Sequence, residues 1–186
     1  MIGSLVGSEM CIRDRLVTES DEAIGTMEKM EAHRKGRLHR AFSVFVMNDA
    51  GEMLLQQRAL DKYHSPGLWT NACCSHQLPG EPTLAAAHRR LQEEMGFDCP
   101  MQEIFTFTYK TVFDNGLTEH EFDHVLLGTF NGAIVPDTTE VNDYRYLPVH
   151  QVLELMEQEP ATFTSWFHLA LPKVLQHLNL PVTTGL

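Results

Sequence analysis

The sequence predicts an α+β protein or an α/β/α sandwich, in which helices cover a β-sheet. Strand-like segments come first, one amphipathic helix follows at residues 83–95, and further strands and two terminal helices complete the chain. Strands and helices in this order favour a sheet that helices cover. The chain has 186 residues and is 43% hydrophobic, which suffices for one domain with a sizeable core.

The first fifteen residues do not fit this pattern. The string MIGSLVGSEMCIRDR lacks the basic start and the continuous apolar core of a signal peptide, and it shows neither helical nor strand periodicity. We interpret residues 1–15 as a non-native N-terminal extension from adapter or vector sequence, and residues 16–186 as a single domain.

The first half of the domain is predicted to contain a short helix and two strands. The helix covers residues 26–32 and is ended by Gly36. Residues 40–47 are apolar on both faces, which is typical of a central strand. The turn-forming string at 48–51 leads into a second strand at 52–58, so we expect a hairpin.

The clearest helix covers residues 83–95. Its apolar side chains recur with the helical period, and Gly96 suits the C-terminal cap. The apolar stripe consists of Leu84, Ala87, His88, Leu91 and Met95. This helix is central to the predicted fold because strands precede and follow it.

The second half is predicted to add strands and two helices. An Asp-Asn-Gly turn joins two alternating segments and predicts a hairpin. The strands cover 104–111, 117–130 and 144–147, and the helices cover 148–158 and 165–178.

Charge and cysteine content limit the function. The formal net charge of −11 argues against nucleic acid or an anionic membrane surface as the main partner. The longest apolar run is far shorter than the roughly 18 residues of a membrane-spanning helix. The cysteines contain no CxxC pair and indicate reduced thiols in a cytoplasmic protein; they are Cys11, Cys73, Cys74 and Cys99.

A stretch that combines a turn, a tryptophan, two cysteines and a histidine lies at residues 66–76, PGLWTNACCSH. In an extended segment Cys74 and His76 face the same side. The residues alone leave three interpretations open: a nucleophile pair, part of a metal site, or small side chains of a buried loop.

Histidines and carboxylates suggest a metal site. Glu119 and Glu121 share one face of a predicted strand, where their charges repel by roughly 1 kcal/mol at surface dielectric. A divalent cation would remove that repulsion. With His33, His39 and His76 they would suit Mn²⁺, Mg²⁺ or Zn²⁺. The alternative is a solvated strand edge with scattered surface histidines.

Two further groups of charged residues either bind a ligand or are ordinary surface charges. The central helix carries Arg89, Arg90, Glu93 and Glu94, which either form a salt-bridged exposed face or contact a diphosphate through Mg²⁺. Basic residues elsewhere either capture an anion or are ordinary surface charge; they are Lys29, Arg58 and Lys62.

Together these residues resemble the type I isopentenyl diphosphate isomerases, a branch of the Nudix fold. The strings that carry the resemblance are LHRAF at 38–42, QRAL at 57–60, PGLWTNACCSH at 66–76, EHEFDHVL at 119–126 and FTSW at 163–166, with EEMG at 93–96. The resemblance extends from about residue 24 to the last helix. It implies a Nudix-like α/β/α sandwich with a mixed sheet and a central Nudix-box helix.

The Nudix box is present with two departures. Ser75 stands where the box has glycine, and Arg90 stands where it has a glutamate. The hydrolases of the family use the carboxylates of the box to hold metal, so the loss of one to a cation favours an isomerase that keeps the diphosphate intact. The remaining box positions are Glu81, Arg89, Leu91, Glu93, Glu94, Gly96 and Phe97.

The resemblance implies a role for each matching residue. Cys74 and Glu121 match the catalytic cysteine and glutamate, Tyr109 the tyrosine that assists the acid, and Trp166 the aromatic that faces the cation. Glu94 matches the carboxylate for the Mg²⁺ on the diphosphate. The ligands of a first metal ion, which would be Mn²⁺, Mg²⁺ or Zn²⁺, are matched by His33, His39, His76, Glu119 and Glu121. The basic residues that face the diphosphate are matched by Lys29, Arg58, Lys62 and Arg90.

The expected reaction interconverts isopentenyl and dimethylallyl diphosphate, in the cytoplasm, by a monomer or weak dimer that binds neither nucleic acid nor membrane. The family has an N-terminal strand that would run into the foreign-looking segment, so we expect it to be missing or remade. Two rivals are a Nudix hydrolase and a non-catalytic module that binds a metal or a diphosphate.

Overall fold

The computed structural model describes residues 13–183, which form nine strands, four α-helices and one 3₁₀ turn. The strands are β1 Arg13–Val17, β2 Ala23–Glu28, β3 His39–Met47, β4 Glu52–Arg58, β5 Trp69–Thr70, β6 Cys73–Ser75, β7 Met101–Val112, β8 Thr118–Thr129 and β9 Val141–Pro148. The helices are α1 Lys29–Lys35, α2 Thr83–Met95, α3 Val149–Gln158 and α4 Ser165–His177, with the 3₁₀ turn at Pro160–Thr162. None of these helices is long and apolar enough to cross a membrane.

The sheet is organised around β3, the strand with the most continuous apolar run. β8 pairs with β3 in parallel along its whole length, and β7 pairs antiparallel with β8. The other edge of β3 meets β1, β6 and β4 in turn. One parallel pair among antiparallel ones makes the sheet mixed, as predicted.

Side chains from the two faces of β3 pack into two separate hydrophobic cores. Phe42 and Val44 pack under α2 with Leu91. Phe45 points to the opposite face and packs with Phe167 of α4. Each large apolar side chain that is fully buried contributes about 1.5–3 kcal/mol. Helices therefore cover both faces of the sheet, and the α/β/α sandwich with α2 as its central helix is confirmed.

The hairpin that the sequence predicts between β3 and β4 is wrong beyond its turn. The turn forms, since Gly51 donates its backbone N–H to the carbonyl of Asn48. Afterwards the strands are paired only at Met47 and Met53. The reason is competition for edges, because β6 pairs with this edge of β3 and β5 pairs with this edge of β4, while β9 lies along the opposite edge of β4.

Two predicted helices are present with altered details. Helix α1 begins at Lys29, later than expected, because residues 23–28 form β2. The side chain of Glu28 caps the helix by accepting hydrogen bonds from the backbone N–H groups of its first turn. In α2 the predicted apolar stripe is incomplete, since Leu84 is 45% exposed and His88 pairs with Asp98. Ala86 is buried instead.

The N-terminal strand that was expected to be missing or remade is present as β1, which pairs with β2. Arg13, Asp14 and Arg15, which the sequence assigns to the extension, form its first part. Residues 1–12, with Cys11, lie outside the described residues. That residues 1–15 are not native remains our proposal about their origin, and mass spectrometry of protein from the source organism tests it.

Candidate active site and metal centre

Strand register brings the candidate residues to one place. On one side of β3, Cys74 of β6 lies opposite Ser43. On the other side, Glu121 of β8 lies opposite His39. Tyr109 of β7 lies opposite Glu121 in the next strand. Residues that are far apart in the sequence therefore meet at one end of the central strands.

Four of the five predicted ligands of the first metal form one cluster. His33, His39, His76 and Glu121 each offer a ligand atom, and these atoms all lie within 4.8 Å of one another. The carboxylate Oε1 of Glu121 lies 3.1 Å from Nε2 of His76 and 3.5 Å from Nε2 of His39. All four side chains are buried or nearly so.

The orientation of the His33 and His39 rings fits a divalent metal ion. Nδ1 of His33 contacts the carbonyl of Lys29, and Nδ1 of His39 contacts the carbonyl of Arg37, each at 2.8 Å. Within residues 13–183, the buried Nε2 atoms of His33 and His39 then have no hydrogen-bond partner, and both are directed into the cluster. Rings held through Nδ1 with Nε2 free are the usual arrangement of metal-binding histidines.

Glu119 lies apart from this cluster. Its ligand atom groups with those of His33 and His64, and its Oε1 is 3.2 Å from Nε2 of His64. Burial and the charge of Glu121 raise the pKa of Glu119 well above its usual range. Burial also opposes ionisation of Glu121, but the nearby ring of His39 and the hydrogen bond from His76 hold its pKa well below the usual range. Glu121 is therefore the more easily ionised of the two carboxylates.

Asp14 adds a third carboxylate that the sequence analysis had assigned to the extension. Its side chain is fully buried, and Oδ1 lies 2.6 Å from Nδ1 of His76. Burial opposes protonation of His76, but Asp14 and Glu121 outweigh it and raise the pKa of His76 to about 9. The cluster without metal therefore holds a protonated His76 between two carboxylates.

Cys74 lies in a network of three hydrogen bonds. Its thiol donates to Oδ1 of Asn71 at 3.0 Å and accepts from Nε1 of Trp166 at 3.1 Å. Oγ of Ser43 lies 3.5 Å from the sulfur. Burial and the nearby charge of Asp123 raise the pKa of Cys74 to about 12. Cys74 is therefore a neutral thiol with a fixed orientation and a proton to give.

Tyr109 connects the two predicted carboxylates. Its hydroxyl donates to Oε2 of Glu121 at 2.6 Å and lies 3.3 Å from Oε2 of Glu119. Burial and the charges of these carboxylates raise the pKa of Tyr109 well above its usual range. Tyr109 is thus a stable proton donor to Glu121.

The candidates line two adjoining cavities. The inner cavity, of about 80 Å³, is lined by Cys74, Glu121, Tyr109 and Trp166. The outer cleft, of about 620 Å³, is lined by three of the four predicted diphosphate-facing cations, which are Lys29, Lys62 and Arg90. The same three cations also line the inner cavity, so one cationic surface extends from the cleft into the cavity.

The fourth predicted cation, Arg58, lines the inner cavity only. Its guanidinium lies 5.3 Å from the ring centre of Trp166 and donates to the backbone carbonyls of His64 and Ser65, each at 3.2 Å. Arg58 therefore anchors the loop that follows β4 and stacks on the aromatic wall.

The charged side chains of α2 form the expected salt bridges, and they also reach the cleft. Arg90 donates to Oε1 of Glu94 at 2.6 Å, and Gln56 donates to Oε2 of Glu94 at 3.2 Å. Arg89 instead forms a bidentate pair with Glu81, with both distances 2.8 Å. Glu94 is buried and lines the inner cavity, whereas Glu81 lines neither cavity, so these two glutamates of the box have different surroundings.

Sequence reasoning missed several residues of the site. His64, Glu140 and Gln56 line the inner cavity with the predicted residues. His64 lies only a few residues before the conspicuous 66–76 stretch, and its position next to Lys62 is the signal that could have found it. Glu140 gives no such signal, since it follows a loop and reaches the site by pairing with Lys62 and Arg90.

The NUDIX domain family matches residues 37–167 of the chain. The isopentenyl-diphosphate Delta-isomerase of Burkholderia multivorans is 49% identical over 167 residues, which cover 90% of this chain and 93% of the relative. The chain belongs to the isopentenyl-diphosphate Delta-isomerases. A second member of this isomerase family, from Pectobacterium atrosepticum, is 49% identical over 159 residues, covering 86% of this chain and 89% of the relative.

Solved structures share the NUDIX fold at low identity. A Deinococcus radiodurans protein superposes with a TM-score of 0.66 and 19% identity, covering 79% of this chain and 90% of that one. A MutT protein from Methanosarcina mazei gives a TM-score of 0.58 and 17% identity, covering 70% and 87%. These likenesses show the fold alone, and they confirm the predicted architecture of this isomerase family member.

Proposed function

We propose that Cys74 and Glu121 are the acid–base pair with which this isomerase moves the double bond between isopentenyl and dimethylallyl diphosphate. The observation that carries the proposal is that both side chains line one inner cavity together with Tyr109 and Trp166. One group adds a proton to the terminal carbon of the alkene, and the other removes a proton from C2. The two stand on opposite sides of the C2–C3–C4 unit.

The protonation states support this assignment. Cys74 has a raised pKa and carries its proton, whereas Glu121 has a lowered pKa and is ionised. A donor and an acceptor are therefore present at the same time. Tyr109 assists Glu121 through its short hydrogen bond. Because proton transfer by a positioned group contributes about 10²–10⁴-fold, the loss of either partner would remove most of the rate.

The intermediate is a tertiary carbocation that water would capture, so the inner cavity has to stay dry. Trp166 is 3% exposed and forms an apolar wall. A desolvated cation over an indole face gains about 2 kcal/mol. Since its Nε1 is engaged with Cys74, Trp166 is held in place while its face serves the cation.

We propose that the diphosphate lies in the outer cleft, where Lys29, Lys62 and Arg90 face it, and that Arg58 contacts it from the inner side. Glu94 would hold the Mg²⁺ that accompanies the diphosphate. His33, His39, His76, Glu119 and Glu121 would hold Mn²⁺, Mg²⁺ or Zn²⁺. A divalent ion supplies positive charge that neutralises paired carboxylates and sets their proton affinity.

Proton NMR in D₂O tests the function. Isopentenyl diphosphate incubated with the protein and Mg²⁺ is expected to yield the dimethylallyl isomer with deuterium incorporated. No phosphate release is expected, because Arg90 replaces a carboxylate of the hydrolase box and is paired with Glu94. Phosphate release without isomerisation would instead establish a hydrolase, and binding without turnover would establish a non-catalytic module.

We further propose that the protein acts in the cytoplasm in isoprenoid biosynthesis, as a monomer or weak dimer that binds neither nucleic acid nor membrane. The formal net charge of −11 supports the absence of polyanionic partners. Light scattering coupled to gel filtration at several protein concentrations measures the oligomeric state, and a stable tetramer would overturn this part.

A further inference from the structure

His64 is a buried histidine beside the metal centre. It lies in the loop between β4 and β5 and is 7% exposed. Its Nε2 is 3.2 Å from Oε1 of Glu119, and Nδ1 has no hydrogen-bond partner within the part of the chain that the structure describes. Nε2 is therefore the ring nitrogen through which His64 makes its polar contact.

Aromatic neighbours fix the position of this ring. It stacks on Phe113, with 5.2 Å between ring centres and 16° between planes. Tyr63 and Trp166 contact it edge-on, with ring centres at 4.5 and 6.0 Å. The His64 carbonyl is held by Arg58. A ring with these contacts has little freedom to rotate, so Nε2 stays directed at Glu119.

We propose that His64 is a positioning residue that orients Glu119 as a ligand of the first metal by donating its Nε2–H to Oε1. This inference rests on the proposed metal site. Glu119 is the one predicted ligand outside the cluster of His33, His39, His76 and Glu121. His33 belongs to both groups, so Glu119 and the cluster adjoin at this histidine.

Glu119 needs such a partner because its other oxygen has only a weak one. Oε2 of Glu119 lies 3.3 Å from the Tyr109 hydroxyl, which makes its short bond to Glu121 instead. Carboxylate ligands are held in orientation by outer hydrogen-bond donors, whose removal costs about 10–100-fold in metal affinity. His64 is that donor, and its ring also forms part of the aromatic wall beside Trp166.

Two substitutions separate the hydrogen-bond donor of His64 from its aromatic ring. His64→Phe keeps an aromatic ring against Phe113 and removes the donor. His64→Gln keeps an N–H donor and removes the ring. Mn²⁺ affinity, measured by electron paramagnetic resonance with a competing chelator, is expected to fall about 10–100-fold in His64→Phe. His64→Gln and the control His150→Phe, at an exposed position of α3, should stay within about twofold of wild type.

A double-mutant cycle decides whether His64 acts through Glu119. In a Glu119→Gln background His64→Phe should cause no further loss of affinity. The inference would be overturned if His64→Phe bound Mn²⁺ as tightly as the wild type, or if it lost the same affinity in the wild-type and Glu119→Gln backgrounds. Either result would leave the metal site intact. If the wild-type protein binds no divalent ion at all, the metal proposal fails first. Melting temperatures of all variants identify any that fail to fold.

Discussion

Nε1 of Trp166 donates a hydrogen bond to Sγ of Cys74 across 3.1 Å. The two residues are 92 positions apart in the sequence, and both belong to the proposed reaction centre. The indole therefore orients the thiol that exchanges a proton and also presents the face that stabilises the cation. A change at Trp166 affects both steps, which has to be allowed for when its variants are interpreted.

Cys74→Ser tests the assigned acid–base role. A serine hydroxyl is a far weaker acid than a thiol, and in this buried position it would be harder still to ionise. We expect isomerisation, followed by NMR, to fall by at least about 100-fold while the fold and melting temperature are kept. Substantial turnover by Cys74→Ser would remove Cys74 from the mechanism.

The neighbouring cysteine provides the control. Cys73 is fully buried in the core under α2 and faces away from the cavity. Cys73→Ala should therefore lower the free energy of unfolding by about 1 kcal/mol and leave the turnover number largely unchanged. Equal losses of activity in both variants would indicate damage to the loop instead of to the acid–base pair.

Variants of Trp166 test cation stabilisation. Trp166→Phe keeps an aromatic face but loses the N–H bond to Cys74, whereas Trp166→Leu loses both. Because a desolvated cation–π contact is worth about 2 kcal/mol, Trp166→Leu should be about 30-fold slower than Trp166→Phe. Steady-state rates at saturating substrate make the comparison. Identical rates would argue that the indole only excludes water and orients the thiol.

Most helices and strands were predictable because the spacing of apolar residues reflects which face of an element is buried. Strand β3 and helix α2 were found within a residue or two, since apolar runs and helical stripes depend on local sequence. Pairing was harder to predict. The turn after β3 suggested a hairpin, but β6 pairs with part of the β3 edge and β5 with part of the β4 edge that would have formed it. Local turn chemistry does not reveal competition between edges.

The site was predictable where residue types are unusual, and incomplete where they are not. Cys74, Glu121, Tyr109 and Trp166 meet in one cavity as the resemblance implied. His64 was missed because its proposed role depends on its contact with Glu119, which forms only when β8 has joined the sheet. Roles that arise from a contact across the sheet leave no signature in sequence spacing.

Removal of divalent metal should inactivate the protein and destabilise it. The cluster of His33, His39, His76 and Glu121 contains buried ring nitrogens that a bound ion would satisfy. An ion present at 100 times its dissociation constant stabilises the folded state by about 2.7 kcal/mol. Treatment with EDTA should thus abolish turnover and lower the melting temperature, and Mn²⁺ should restore both.

His39→Ala is the matched variant for metal removal. It deletes one predicted ligand, so its melting temperature should respond less to EDTA and to Mn²⁺ than that of the wild type. Calorimetry of both proteins with and without chelator measures the difference. Full activity after exhaustive chelation, with metal content verified by mass spectrometry, would contradict the metal site.

The metal-free protein should lose stability as the pH rises from about 6.5 to about 9. The pKa of His76 is raised to about 9 in the folded state, since Asp14 and Glu121 outweigh the effect of burial. A group with a raised pKa contributes its full stabilisation below its unfolded pKa and loses it as the pH passes the folded value. The loss is on the order of 3 kcal/mol at most.

Chemical denaturation of EDTA-treated protein at pH 6.5, 7.5 and 9 measures this slope. Asp14→Asn is the control, because it removes the carboxylate that lies 2.6 Å from Nδ1 of His76 and should flatten the dependence. Metal binding requires a neutral ring, so the affinity for Mn²⁺ should rise over the same range in which the metal-free protein weakens. A free energy of unfolding that is constant or increasing with pH would show that His76 is not protonated in the folded state.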